Sequence, residues 1–183
     1  MVDAPDNWCA KDREAQDREA QATVAAAALV GRVDYPMFVV TTIAETEPSG
    51  CLAGFVTQCS IIPARFIVCV SKKNHTFGIA SRAETLGVHL LGRAQLDIAR
   101  VFGELTGDHA DKFALVDWRS SATGVPLLEK CAAWFEGRVL DRFDVGDHVG
   151  HLVEPVAGGG GGAEGELWYS AARRLHPGHP PTD

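Results

Sequence analysis

Ser71, Lys72, Asn74 and Thr76 fall within six residues of the stretch CVSKKNHTFGIA (69–80), where a β-branched run ends and a helix-like segment begins. Hydroxyl and amide donors, a mobile cation and the free backbone N–H groups of a helix N-terminus together attract anions, and a mononucleotide phosphate would suit them. The same composition is also that of an ordinary helix cap, because Asn and Thr are common at such turns in every fold. Upstream, Ala53-Gly54-Phe55-Val56-Thr57 puts a glycine where a flat ring could approach the backbone, and Thr57, Gln58 and Ser60 add neutral hydrogen-bonding groups. A planar polar ligand with a phosphate tail fits both halves. Cys59 shares the strand-like run and His148 sits far downstream in Gly-Asp-His. Taken singly, Cys59 reads as a small apolar residue and Gly-Asp-His as a hairpin turn.

These residues need a scaffold, and the composition bounds it. The 183 residues are 46% apolar and 22% charged, an ordinary globular balance that supports a real hydrophobic core, with one domain as the default. A net charge of -7 argues against nucleic acid as a partner, since phosphate neutralisation needs a basic face. No stretch approaches the roughly 18 to 20 apolar residues of a membrane span, and the charged start MVDAPDNWCAKDREAQDREA lacks the apolar centre of a signal peptide. A soluble, cytoplasmic protein is expected. Cys9, Cys51, Cys59, Cys69 and Cys131 show neither CxxC spacing nor a disulfide pattern, and read as small buried apolar residues. His148 with His151, and His176 with His179, lack the companion ligands of a known metal geometry, so no metal is expected.

Along the chain, residues 10–32 are Ala-rich and charged, with apolar positions near helical spacing, and predict an amphipathic helix ending at Gly31. Strands are expected over 37–45, bounded by the turn EPSG, and over 51–61 and 64–71. A short helix over 75–82, a buried strand over 85–92 and a helix over 94–104 follow, then a turn-rich stretch over 107–129. Residues 131–158 predict a long hairpin joined at 144–147, the five glycines 158–162 a flexible tip, 165–171 a last strand and the remainder a mobile tail. His75 and His109 read as solvated turn residues and His89 as a satisfied core residue. Six or seven strands without regular strand–helix alternation indicate an antiparallel barrel decorated by helices, a mainly β (α+β) fold.

In the order CLAGFVTQCSIIPARFIVCVSKKNHT, IARVF, DKF, Trp118, GVPLLE, CAAWFEGRV and GDHVGHLVEPV, the chain resembles the flavin reductase-like family with the FMN-binding split barrel, over roughly residues 35–175. The resemblance implies a flavin-binding split-barrel domain over 35–175, an N-terminal helical arm over 1–34 and a flexible tail over 176–183. It implies FMN or FAD as cofactor and NADH or NADPH as co-substrate, with Ala53, Gly54, Phe55, Val56, Thr57, Gln58, Cys59 and Ser60 walling the ring and ribityl chain. By the same resemblance Ser71, Lys72, Asn74 and Thr76 grip the phosphate, and His148 stands on the nicotinamide side, where an imidazole can hydrogen-bond the dinucleotide or stabilise charge. Gly54 and Phe55 depart from the small polar residues many members carry, and Leu52 replaces a frequent threonine, so the choice between FMN and FAD stays open. The implied activity is hydride transfer from NAD(P)H to flavin in a homodimer, with a partner monooxygenase taking up the reduced flavin. The alternatives are a flavin-binding electron-transfer protein without direct NAD(P)H turnover, and a haem- or deazaflavin-binding split barrel.

Overall fold

The computed structural model describes residues 6–160 and 162–178, with side chains from residue 12 onward. Gly161, His179 and the side chain of Cys9 lie outside the described residues. The chain divides into two compact units, Met1–Asp34 and Tyr35–Asp183. In the first, α1 (Asp6–Val30) closes through Gly31, whose N–H donates to the Ala27 carbonyl. Every described side chain of α1 is exposed, Val24, Leu29 and Val30 included, so the apolar positions form no buried stripe within this unit.

The second unit opens with β1 (Phe38–Ala44) and β2 (Glu47–Ala53), an antiparallel hairpin in which Ala44 faces Glu47. The turn is therefore Glu45-Thr46, with Glu45 at φ 57°, and the expected EPSG turn runs inside β2 instead. Pro48 is tolerated there because β2 is an edge strand that can forgo one N–H. β3 (Val56–Ser60) and β4 (Arg65–Ser71) follow, so the strand expected over 51–61 is two strands broken at Gly54-Phe55. Then come α2 (His75–Ala80), β5 (Thr85–Leu90), α3 (Leu96–Glu104), a 3-10 turn (Lys112–Leu115), and the small hairpin β6 (Trp118–Ser120) and β7 (Pro126–Leu128). The long hairpin β8 (Ala133–Asp144) and β9 (His148–Gly160) turns over 145–147, and α4 (Tyr169–Ala172) closes the order.

Seven strands make one antiparallel sheet in the order β2-β1-β5-β8-β9-β4-β3. β2 and β3 lie at opposite edges, yet only Gly54 and Phe55 separate them in the chain. A two-residue link can join opposite edges only if the sheet curls until they meet, which makes it a barrel with a seam at Gly54-Phe55. At that link the Phe55 carbonyl extends the β3–β4 ladder by accepting a hydrogen bond of 3.0 Å from the Cys69 N–H. The break falls at a glycine for a steric reason: a Cβ on Gly54 would lie 2.3 Å from Cε2 of Tyr35. The expected mainly β, antiparallel split barrel is the fold observed.

Burial follows the curl. Val40, Cys51, Ala53, Val68, Val70, Leu86, Val88 and Val153 cluster inside the barrel, although β2 and β4 are far apart in strand order. Val39, Met37, Leu91, Ala99, Phe102 and Leu167 form a second core on the outer face of β1, under α3 and the C-terminal segment. β1 is thus buried on both sides, and each fully buried aliphatic side chain contributes about 1.5 to 3 kcal/mol.

Two further expectations change. Gly158–Gly160 are not a flexible tip: they pair with residues 133–135 of β8, and a Cβ on Gly158 or Gly159 would stand 3.0 or 3.1 Å from the backbone or ring of Trp134. Glycine serves there as the residue that fits under a tryptophan. The last strand is only two bridges, Gly92 with Glu166 and Pro36 with Trp168, before the chain turns into α4. Among the described residues no helix is long and apolar enough to cross a membrane.

Candidate functional site

A cavity of about 440 Å³ opens at the seam of the barrel. Its walls come from Cys51 to Phe55 at the end of β2, from Cys69, Val70, Ser71 and Asn74 at the end of β4, and from Phe102 and Gly103 of α3. Asp147 and His148 close one side, and Tyr35, Tyr169, Ala172, Arg173, Leu175 and Pro177 another. The lining is mostly apolar, with a few polar groups at Ser71, Asn74, Asp147, His148 and Arg173, the composition of a small-molecule site.

Strand register explains why distant residues meet. β4 and β9 run antiparallel with Ser71 opposite His148, so the end of β4 is bound to the turn that carries Asp147. The Lys72 N–H donates to the Asp147 carbonyl at 2.9 Å and locks the two together. His148 Nδ1 lies 2.8 Å from Asp147 Oδ1, and that hydrogen bond holds the Asp147 carboxyl below the usual carboxylate range. With Nδ1 engaged by a carboxylate, the imidazole is oriented and Nε2 is its second functional nitrogen.

A row of rings follows the rim. His148 and Phe55 have centroids 5.3 Å apart, Phe55 and Tyr35 6.1 Å, and Tyr35 stacks on Tyr169 at 4.8 Å with 15° between planes. Tyr35 reaches this row only because Gly54 has no side chain. The glycine singled out in the sequence thus makes room for a protein ring at the cavity edge.

The sequence-derived residues divide into two groups. Ala53, Gly54, Phe55, Ser71, Asn74 and His148 are brought together at the cavity. Val56, Thr57, Gln58, Cys59 and Ser60 lie along edge strand β3 outside its lining, with Thr57, Gln58 and Cys59 exposed and Gln58 Nε2 donating to the Ser60 carbonyl. Lys72 also lies outside the lining, its Nζ 2.6 Å from Asp144 Oδ2, a hydrogen bond that lowers the Asp144 carboxyl. Thr76 is buried, with its hydroxyl 3.0 Å from Ser49 Oγ, and Asn74 Oδ1 caps α2 by accepting from the Thr76 N–H. The anion-site and helix-cap readings of this turn therefore apply to different atoms: Asn74 Oδ1 and Thr76 serve the helix, while Ser71 faces the cavity.

Sequence reasoning missed Tyr35, Phe102, Asp147, Tyr169 and Arg173. Tyr35-Pro36 looked like a chain break, and the residues after 171 looked like a mobile tail. Backbone bonds anchor this segment instead: Tyr169 N–H to the Tyr35 carbonyl, His176 N–H to Glu104 Oε1 and Gly178 N–H to the Gly103 carbonyl. No local sequence signal marks these pairings, all of which span large separations.

Behind the cavity, buried Lys112 donates to the Gly50 carbonyl at 3.1 Å and the Phe102 carbonyl at 3.4 Å, tying β2 to α3. Burial lowers its pKa. Burial also pushes the Cys51 thiol up to about 11 and raises that of Cys69, so the cavity's two thiols are protonated near neutrality. His89 is satisfied in the core, Nδ1 at 3.0 Å from the Val39 carbonyl and Nε2 accepting from the Leu128 N–H. His75 differs from the solvated reading, being partly buried with Nδ1 2.8 Å from Asp108 Oδ1. Among the described residues no group of three or more His, Cys, Asp or Glu side chains is placed to hold a metal ion.

Comparison with known proteins gives consistent findings. Residues 30–177 match the family described as flavin reductase like domain. The chain is 34% identical over 114 residues to the stachydrine N-demethylase reductase subunit Stc3 of Rhizobium meliloti, covering 60% of this chain and 48% of that protein. It is 31% identical over 140 residues to the FMN reductase (NADH) RutF of Ancylobacter novellus, covering 74% and 76%. In structure it superposes on the NADH:FAD oxidoreductase SgcE6 of Streptomyces globisporus C-1027 with a TM-score of 0.74 at 26% identity, covering 86% of this chain and 95% of that one. The chain spans about half the length of the first of these relatives. With the fold, the seam cavity and a match over residues 30–177 in agreement, the chain belongs to the flavin reductase-like family.

Proposed function

We propose that the protein is a flavin reductase, which moves hydride from NADH or NADPH to FMN or FAD. The observation that carries this reading is the seam cavity, an apolar slot between Ala53-Gly54-Phe55 and Val70 with donors at Ser71 and a carboxylate-oriented imidazole at His148. The fit is chemical: apolar walls suit a flat ring system, and the polar rim suits a hydroxylated, anionic tail. Bound flavin would supply the hydride-accepting chemistry, so no protein nucleophile is needed. The protonated thiols of Cys51 and Cys69 fit that division of labour.

The chain's own groups then bind and orient. Ala53, Gly54 and Phe55 wall the ring, with Val56, Thr57, Gln58, Cys59 and Ser60 continuing that edge beyond the cavity. Ser71 and Asn74 face the tail, and Thr76 holds the turn through Ser49. Lys72 would reach a phosphate by releasing Asp144. His148 Nε2 hydrogen-bonds the nicotinamide carboxamide or the flavin edge while Asp147 fixes the ring. In this reading residues 35–175 are the flavin-binding domain, 1–34 a helical arm and 176–183 a tail. The protein works as a homodimer to which exposed Ile61 and Ile62 contribute apolar contact, and a partner monooxygenase takes the reduced flavin.

Mixing purified protein anaerobically with flavin and then NADH tests the reading. Rapid bleaching of the flavin is expected, and bound flavin that NADH leaves oxidised would favour an electron carrier instead.

A further inference from the structure

Among the described residues, Arg173 is the only Lys or Arg that lines the seam cavity. Its guanidinium has no ion-pair or side-chain hydrogen-bond partner among them. The other charges at this site are already engaged: Lys72 is held by Asp144 outside the lining, and Asp147 is bound by His148. Arg173 is also held in place by its backbone. Its N–H donates to the Tyr169 carbonyl at 2.7 Å, and both flanks are pinned, by Tyr169 to Tyr35 and by Gly178 to Gly103. An exposed guanidinium on a fixed backbone beside a cavity, without a side-chain partner among the described residues, is open to an anion, and its planar fork suits phosphate oxygens.

We propose that Arg173 recognises a phosphate group of a nucleotide ligand in this cavity. The assignment rests on the flavin reductase reading and adds the residue that selects phosphorylated ligands. Ser71 lies toward the His148 end of the ring row and Arg173 follows Tyr169 at the other end, so the cavity offers two polar ends rather than one. The carboxylate of Asp147 stands beside the Ser71 end, which leaves the Arg173 end the more favourable for an anion. Two classes of ligand carry the phosphate, the flavin nucleotide and the nicotinamide dinucleotide.

Equilibrium titrations of wild-type protein, Arg173→Ala and Arg173→Lys with FMN, riboflavin, NADH and reduced nicotinamide riboside separate them. Loss of the guanidinium should weaken FMN or NADH about tenfold, a typical charge-assisted hydrogen bond, with Arg173→Lys between. Riboflavin and the riboside, which carry no phosphate, should bind unchanged. Weakening of FMN identifies the flavin phosphate, and weakening of NADH identifies the dinucleotide. Wild-type affinity of Arg173→Ala for both phosphorylated ligands, or equal weakening of riboflavin and FMN, overturns the assignment while leaving the flavin reductase reading intact. Wild-type protein that binds neither flavin nor NADH overturns both.

Discussion

Two regions supply the polar rim of the cavity, and they differ in how they were built. The end of β4 gathers Ser71, Lys72 and Asn74 within four residues, and register places it beside His148. The C-terminal wall is assembled from afar, with Tyr169 stacked on Tyr35 and residues 176 and 178 bound to α3. The crowded turn spends much of its polarity internally, on the α2 cap, on Asp144 and on Ser49. The sparse wall leaves one guanidinium without a side-chain partner among the described residues. Density of polar residues in sequence is therefore a poor guide to which charge a ligand meets; partners in space decide it.

The largest expected effect tests what the two regions share, the seam. Gly54→Val would drive a side chain into Tyr35, whose ring lies 2.3 Å from the ideal Cβ, and overpacking of this kind costs about 1 to 3 kcal/mol. Urea unfolding should show the loss, and flavin affinity should fall with it; a variant with wild-type midpoint and affinity would break the steric argument. Next, Lys112→Met removes the donor that ties β2 to α3 and leaves two carbonyls unpaired, at a cost of about 2 kcal/mol in the same measurement.

Stability should also depend on pH through the core. His89 is held near 4 by burial, below its ordinary value of 6.5. The unfolded chain then takes up a proton between those values while the folded chain does not, so stability is full above about 6.5 and falls as pH drops toward 4. At pH 5 the loss from this residue is roughly 2 kcal/mol by the usual conversion of pKa shift to free energy. Denaturation midpoints at pH 7 and pH 5 check it, and a His89→Gln variant should flatten the difference.

The smallest effect sharpens the comparison itself. Lys72→Ala should reduce flavin affinity by no more than about threefold, because the ammonium is exposed and already paired with Asp144, an arrangement of modest worth. An effect larger than that of Arg173→Ala would return the phosphate to the β4 end.

How far the sequence could be read follows the same division. The barrel and the 131–158 hairpin were legible because strand periodicity is a local signal, and the meeting of Gly54 with Ser71 and His148 because the order of motifs along the chain resembles that of the family. The break at Gly54-Phe55 was not, since an unbroken apolar run looks alike whether it stays in one strand or crosses a barrel seam. The glycine run 158–160 read as a tip because its partner Trp134 lies over twenty residues away, and α4 read as a strand because only tertiary bonds to Tyr35 and Gly103 set its course. In each case a long-range pairing overrode the local preference.

The central claim is that one cavity at the barrel seam receives the flavin. A crystal structure of the protein with FMN tests it most directly. The isoalloxazine ring should lie against Ala53, Gly54 and Phe55 within reach of His148, with the phosphate at Ser71 or Arg173. A ring bound on the outer face of β3, or anywhere that leaves the seam empty, would contradict it.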